Sequence, residues 1–219
     1  DPHRLAGYVS FSGARSGYNP ANDPISVCDL LMHNTYSKDN FKRAELLHQK
    51  WPNNPIFFSE FGASQIGASL GATIPDLAER FNSLGKLPYV IGVSIWTFND
   101  YRSDYKGTPT SGNREWGVVT VDRKPKAAYW QIRKCFSPVH SMIVSNGVVT
   151  IQPRGTDEIP SYTLRGYRLN WKMRDASGAT LDAGEITLPE LKPGSEAWTS
   201  PVLGRTTNDA TDLVVELVS

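Results

Sequence analysis

Pro55-Ile56-Phe57-Phe58-Ser59-Glu60-Phe61-Gly62-Ala63 is an apolar and aromatic run that ends on a single carboxylate and then gives way to small residues. A continuous apolar run of this length reads as a strand buried on both faces, the kind that parallel sheets contain. Glu60 then falls at the strand's C-terminal end, and Gly62 lets the chain turn sharply after it. In barrels of alternating strands and helices, catalytic groups collect at that end. A capping or salt-bridged Glu has the same local appearance, so the surrounding stretches decide what Glu60 is.

Upstream, Leu5 to Ser10 is a short apolar run read as a strand, and Ser12 to Pro24 is a loop rich in Gly, Ser, Asn and Pro. Asp29 to Tyr36 is a second buried-type strand ending in polar and aromatic residues. Asp39 or Asn40 then caps a helix with Phe41, Ala44, Leu47 and Trp51 at helical spacing. Downstream, Thr73 caps a helix with Pro75 in its first turn, and Gly85 stops it. Tyr89 to Trp96 is a fourth strand, followed by a polar loop from Thr97 to Trp116. Pro125 starts a last helix to Cys135, with Ala127, Ala128, Trp130 and Ile132 expected to pack. Strands each followed by a helix or a long loop make a parallel-sheet pattern.

Beyond Ser137-Pro138 the pattern changes. Val148 to Ile151, Tyr162 to Trp171 and Leu213 to Val218 are β-rich. Turn signals separate them at Ser145-Asn146-Gly147, Asp175-Ala176-Ser177-Gly178 and Lys192-Pro193-Gly194. Such spacing predicts a small antiparallel sandwich. The chain therefore divides into an α/β part, residues 1–136, and an all-β part, residues 137–219.

Bulk properties narrow the function. A net charge of +1 without a basic block argues against nucleic acid or an anionic membrane as a partner. No apolar run is long enough to span a bilayer. Cys28 and Cys135 lie far apart and show no metal spacing, so no metal is expected. The opening Asp1-Pro2-His3-Arg4 reads as the start of a cut piece or mature fragment. Six tryptophans and nine tyrosines suit sugar-stacking surfaces, although large cores use them too.

Three strand ends carry groups that can face one cleft: Asn34 with Tyr36, Glu60, and Trp96. Tyr36 can hydrogen-bond Glu60 and favour its charged form. Trp96 can floor a sugar ring. Each also has a plainer use, Tyr36 closing a hydrogen bond at the core's edge and Trp96 filling core.

These stretches resemble the C-terminal part of family-2 glycoside hydrolases, the β-galactosidase and β-glucuronidase group. The likeness lies in Asp29…Asn34-Thr35-Tyr36, Ser59-Glu60-Phe61-Gly62-Ala63, Trp96-Thr97-Phe98-Asn99-Asp100-Tyr101, and Gly117-Val118-Val119…Asp122-Arg123-Lys124-Pro125-Lys126-Ala127-Ala128-Tyr129. The order and spacing match too. The resemblance implies the second half of a (β/α)8 barrel over residues 1–136. Residues 137–219, with Pro160 to Tyr167, look like the immunoglobulin-like domain that follows the barrel. It also implies a retaining β-glycosidase with Glu60 as nucleophile, Asn34, Tyr36, Trp96 and Asn113 around the glycone, a carbohydrate substrate and no cofactor.

Two departures modify that expectation. The family's acid/base is a Glu in an Asn-Glu pair upstream of everything here, and no Asn-Glu dipeptide occurs in this chain. Retaining hydrolysis needs both carboxylates, roughly 5–5.5 Å apart. The second departure is at Asn113-Arg114-Glu115, where glucuronidases of the family carry Asn-x-Lys. Glu115 would repel glucuronate, which points to a neutral, β-galactosidase-like substrate. The rival reading is a non-catalytic carbohydrate-binding or interaction fragment, or an inactive glycosidase relative. A half-barrel also exposes strand edges and an apolar face, so self-association or pairing with a missing half is expected.

Overall fold

In the computed structural model, which describes residues 3–204 and 212–219, four parallel strands form one sheet in chain order. They are β1 (Gly7–Val9), β2 (Leu30–Thr35), β3 (Ile56–Phe61) and β4 (Val90–Ile95). Asp1 and Pro2, on which the N-terminal reading partly rests, lie outside the described residues. One face of the sheet is sealed. Leu31, Ile56, Phe58, Phe61, Val90 and Val93 are buried there with Ala44, Leu47, Leu77, Phe81 and Leu84 from the helices. On the other face, Met32, Asn34 and Phe57 are half-buried and Ile91 is 54 % exposed. The central strands are thus buried on one face, which corrects the expectation of burial on both.

Helix α1 (Asn40–Lys50) starts at Asp39, whose carboxylate accepts from the Lys42 N–H at 3.1 Å. Its buried line is Asn40, Ala44 and Leu47, continued by Trp51. Phe41, expected in the core, is 37 % exposed. It stands about 100° round the helix from Asn40, at 3.6 residues per turn.

Helix α2 (Leu77–Gly85) begins later than the sequence suggests, and Thr73 is not its cap. The preceding segment is tied elsewhere: Ile74 N–H donates to the Gln131 side chain at 2.8 Å, and Ala128 N–H to the Ala72 carbonyl at 2.8 Å. Asp76 enters the helix with a left-handed φ of 54°. Gly85 is the last helical residue rather than the stop.

The long loop after β4 contains a small hairpin of β5 (Tyr101–Arg102) and β6 (Asn113–Arg114). Helix α3 (Ala127–Cys135) follows. It buries Ala128 and packs Tyr129 and Ile132 against the core, while Trp130, expected to pack, is 55 % exposed with Arg133 over its ring.

A second unit takes in Ser137–Thr156 and Ser161–Ser219, with Asp157–Pro160 counted in the first. β7 (Val139–Ser145), β8 (Val148–Pro153) and β11 (Trp198–Thr199) form one antiparallel sheet in the order β11-β8-β7. β9 (Arg168–Arg174), β10 (Thr180–Thr187) and β12 (Asp212–Val218) form another, ordered β10-β9-β12. Residues of both sheets share one core around Val149, Ile151, Leu164, Leu169 and Leu191. Asn146 and Gly147, both at positive φ, make the tight turn between β7 and β8.

Neither cysteine is disulfide-bonded, and no cluster of metal-ligating side chains occurs among the described residues. No described helix is long and apolar enough to cross a membrane.

Candidate active site

Burial alternates through Ile56, Phe57 and Phe58, then breaks: Ser59 and Glu60 are both half-buried before Phe61 is buried again. The break coincides with a register shift between β3 and β4. An irregularity of this kind re-aims side chains at the end of a strand. Its effect here is that two consecutive residues serve the same neighbourhood. The Ser59 hydroxyl donates to the Asn34 side-chain oxygen at 2.8 Å, and Glu60 accepts a hydrogen bond from the Tyr36 hydroxyl. Asn34 and Glu60 are direct partners across the β2–β3 ladder. Gly62, at φ 138°, then takes the chain out of the sheet in a conformation that side chains disfavour.

Trp96 follows β4 directly, and its N–H donates to the Phe61 carbonyl at 3.1 Å. The Trp96–Thr97 peptide bond is cis. The indole is 38 % exposed and meets the Tyr101 ring edge-on, with centroids 6.0 Å apart. Glu60, Asn34, Tyr36 and Trp96 therefore gather at one end of three adjacent strands. Asn113 lies on β6 opposite Arg102, and its side-chain oxygen is buried without a hydrogen-bond partner among the described residues.

The β5–β6 hairpin brings in residues that sequence reading passed over. Trp116 stands edge-on to Tyr36, with centroids 5.5 Å apart and planes at 89°. The Arg114 guanidinium lies 4.9 Å from the Trp116 ring centre, 5.6 Å from Tyr105 and 6.0 Å from Tyr101. Glu115 uses its backbone carbonyl, which accepts from the Gly67 N–H at 2.8 Å and so joins this segment to the loop after β3. Nothing in the sequence pattern marks this cluster, because Tyr101 and Tyr105 lie well before Arg114 and Trp116 in the chain and meet them only through the β5–β6 pairing.

The electrostatics keep the Tyr36 phenol protonated beside the carboxylate. Burial first, then the hydrogen bond and charge of Glu60, raise Tyr36 well above the usual tyrosine range, with Arg114 pulling weakly the other way. Tyr36 therefore remains a donor to Glu60. The arrangement offers an oriented carboxylate, an amide and a phenol beside it, aromatic surfaces around it and one caged cation.

No family model matches the chain. No curated protein matches it either. Solved structures do. Over its whole length the chain is similar to the β-glucuronidase of Bacteroides uniformis, at 16 % identity and a TM-score of 0.51, covering 28 % of that protein. It is also similar to a GH2 β-galacturonidase from Eisenbergiella tayi bound to galacturonate, at 22 % identity and a TM-score of 0.46, over 61 % of this chain and 27 % of that one. A β-D-glucuronidase from Dictyoglomus thermophilum gives 20 % identity and a TM-score of 0.47, over 61 % and 26 %. The chain spans about a quarter of the length of the solved structures it matches. At such identities the likeness concerns fold alone, and the fold is like that of the matched part of the Bacteroides uniformis β-glucuronidase.

Proposed function

We propose that this chain is the nucleophile-bearing part of a retaining β-glycosidase, with Glu60 attacking the anomeric carbon. The first unit is then the second half of a (β/α)8 barrel, and the second unit an immunoglobulin-like domain. The observation that carries the reading is Glu60 itself: a half-buried carboxylate at the C-terminal end of β3, level with Asn34, hydrogen-bonded by Tyr36 and near the exposed Trp96. In the reaction, Glu60 forms a glycosyl ester while a second carboxylic acid protonates the departing oxygen. Water then releases the sugar with that second group acting as base. The second group has no counterpart in the Asn-Glu form within this chain, so hydrolysis is assigned to the full-length protein and not to these residues alone. Tyr36 orients Glu60, Trp96 stacks under the ring, and Asn34 and Asn113 take sugar hydroxyls.

The sugar is read first as neutral and galactose-like, because Glu115 replaces a cation. Arg114 favours a second reading, an acidic sugar, since its guanidinium is held over Trp116 in the same cluster as Tyr36 and Glu60. Trapping the full-length protein with 2-deoxy-2-fluoro galactosides and glucuronides tests both points. A label mapped to Glu60 supports the nucleophile, and a label on another carboxylate overturns it. Whichever glycoside traps faster, and whether Arg114→Ala changes that preference, decides the sugar. Absence of any trapping, with retained binding of the free sugar, would return the chain to a binding module.

A further inference from the structure

We propose that Asp100, with Lys126 as its buried counter-ion, is a positioning residue that holds Trp116 against Tyr36 and so fixes the hydrogen bond on Glu60. Only the kinetic arm of its test rests on the glycosidase reading.

Lys126 is fully buried and Asp100 is 4 % exposed, with Nζ and Oδ1 2.7 Å apart. The same Oδ1 accepts from the Gly117 N–H at 2.8 Å. Gly117 directly follows Trp116, and Asp100 directly precedes Tyr101. The two backbones touch: a Cβ on Gly117 would stand 2.0 Å from the Asp100 nitrogen and 2.1 Å from the Asn99 carbonyl carbon. Backbone hydrogen bonds continue the seam, Val118 N–H to Thr97 O at 3.1 Å, Val119 N–H to Phe98 O at 3.0 Å and Asp100 N–H to Val119 O at 2.9 Å. Trp116 is thus held from both sides, by the Tyr101–Arg114 pairing before it and by the Asp100 carboxylate just after it. Its ring edge meets Tyr36, the donor to Glu60.

Stability alone does not call for this ion pair. Apolar residues of similar volume commonly replace a buried pair without loss. What they cannot supply is an acceptor for Gly117. The test therefore compares two double variants, neither of which leaves a buried charge unpaired. Asp100→Leu with Lys126→Met removes the acceptor, whereas Asp100→Asn with Lys126→Met keeps an oxygen facing Gly117.

In the 219-residue chain, the NMR signals of the Trp116 indole N–H and the Tyr36 ring should shift or broaden in the Leu/Met double variant and stay in place in the Asn/Met one. In the full-length protein, kcat/KM should fall about 100-fold in the Leu/Met variant, as expected when a reacting group is displaced by an ångström, and recover in the Asn/Met variant. Unchanged Trp116 and Tyr36 signals in a folded Leu/Met variant overturn the proposal. If that variant does not fold, the Asn/Met variant decides alone, parental signals supporting the proposal and displaced ones overturning it. Should the signals behave as expected while the full-length protein hydrolyses no glycoside, the glycosidase reading fails and the positioning role stands.

Discussion

At the scale of single residues, Tyr36 is the hydrogen-bond donor that orients Glu60. Its phenol is raised by burial and by the carboxylate it serves. A group raised in the folded state contributes stability that is complete below its unfolded value, about pH 10, and that is lost as pH climbs through the folded value. Tyr36 should therefore not ionise while the chain is folded. Alkaline titration by ultraviolet difference absorbance should give the same curve for Tyr36→Phe and the parent until the protein unfolds, then one tyrosinate fewer in the variant. A gap opening between the curves near pH 10, with the fold intact, would remove the Tyr36–Glu60 hydrogen bond from the account. Trp96 makes a separate prediction. If its exposed indole floors a sugar, Trp96→Ala in the full-length protein should raise KM and lower kcat. Parental kinetics would leave Trp96 as packing alone. The grouping of Asn34, Tyr36, Glu60 and Trp96 was legible because each lies at the end of a strand visible in its own apolar run. Arg114 and Trp116 were not, because their place depends on a two-residue hairpin pairing inside a polar loop, which leaves no periodicity to read.

Among elements, α1 shows what periodicity can and cannot fix. Its cap and extent follow from Asp39 and from the spacing of Ala44, Leu47 and Trp51. Phe41 is apolar but lies at the wrong angle for the buried line, so it faces out of the core. The true line runs through a buried Asn40, whose side-chain oxygen accepts from the Thr35 hydroxyl at 3.1 Å. The start of α2 was misplaced for another reason: Thr73-Ile74-Pro75 has the local form of a helix entry, but long-range bonds to α3 claim that backbone first. Three substitutions test the orientation of α1 by thermal unfolding. Leu47→Ala should cost about 2–5 kcal/mol as a fully buried leucine. Asp39→Ala should cost about 0.5–2 kcal/mol through loss of the cap. Phe41→Ser should stay within about 0.5–1 kcal/mol of the parent, being a surface change. A Phe41 variant as damaging as the Leu47 one would mean that the helix is rotated from its described position.

For the molecule as a whole, the open question is what becomes of the sheet that is covered on one face only. β1 and β4 are its edges, each bonded to a single neighbour. Edge strands present unpaired backbone groups and invite another strand to join. On the uncovered face, Met32 and Phe57 are half-buried and Ile91 is exposed, which adds an apolar surface to the open edges. A closed barrel would remove both features at once, since closure leaves no edge and fills the interior with side chains. The second unit has a separate core of its own around Ile151 and Leu169. We therefore propose that the isolated chain associates with itself through this sheet, two copies meeting about a twofold axis so that each covers the other's face. Sedimentation velocity across a wide concentration range should show a sedimentation coefficient that rises with concentration. Ile91→Lys, which places a charge on the uncovered face without touching the sealed one, should shift the equilibrium toward monomer while leaving the thermal transition of the folded chain in place. A compact monomer at every concentration, for parent and variant alike, would show that the edges and the apolar face are tolerated in water as they stand.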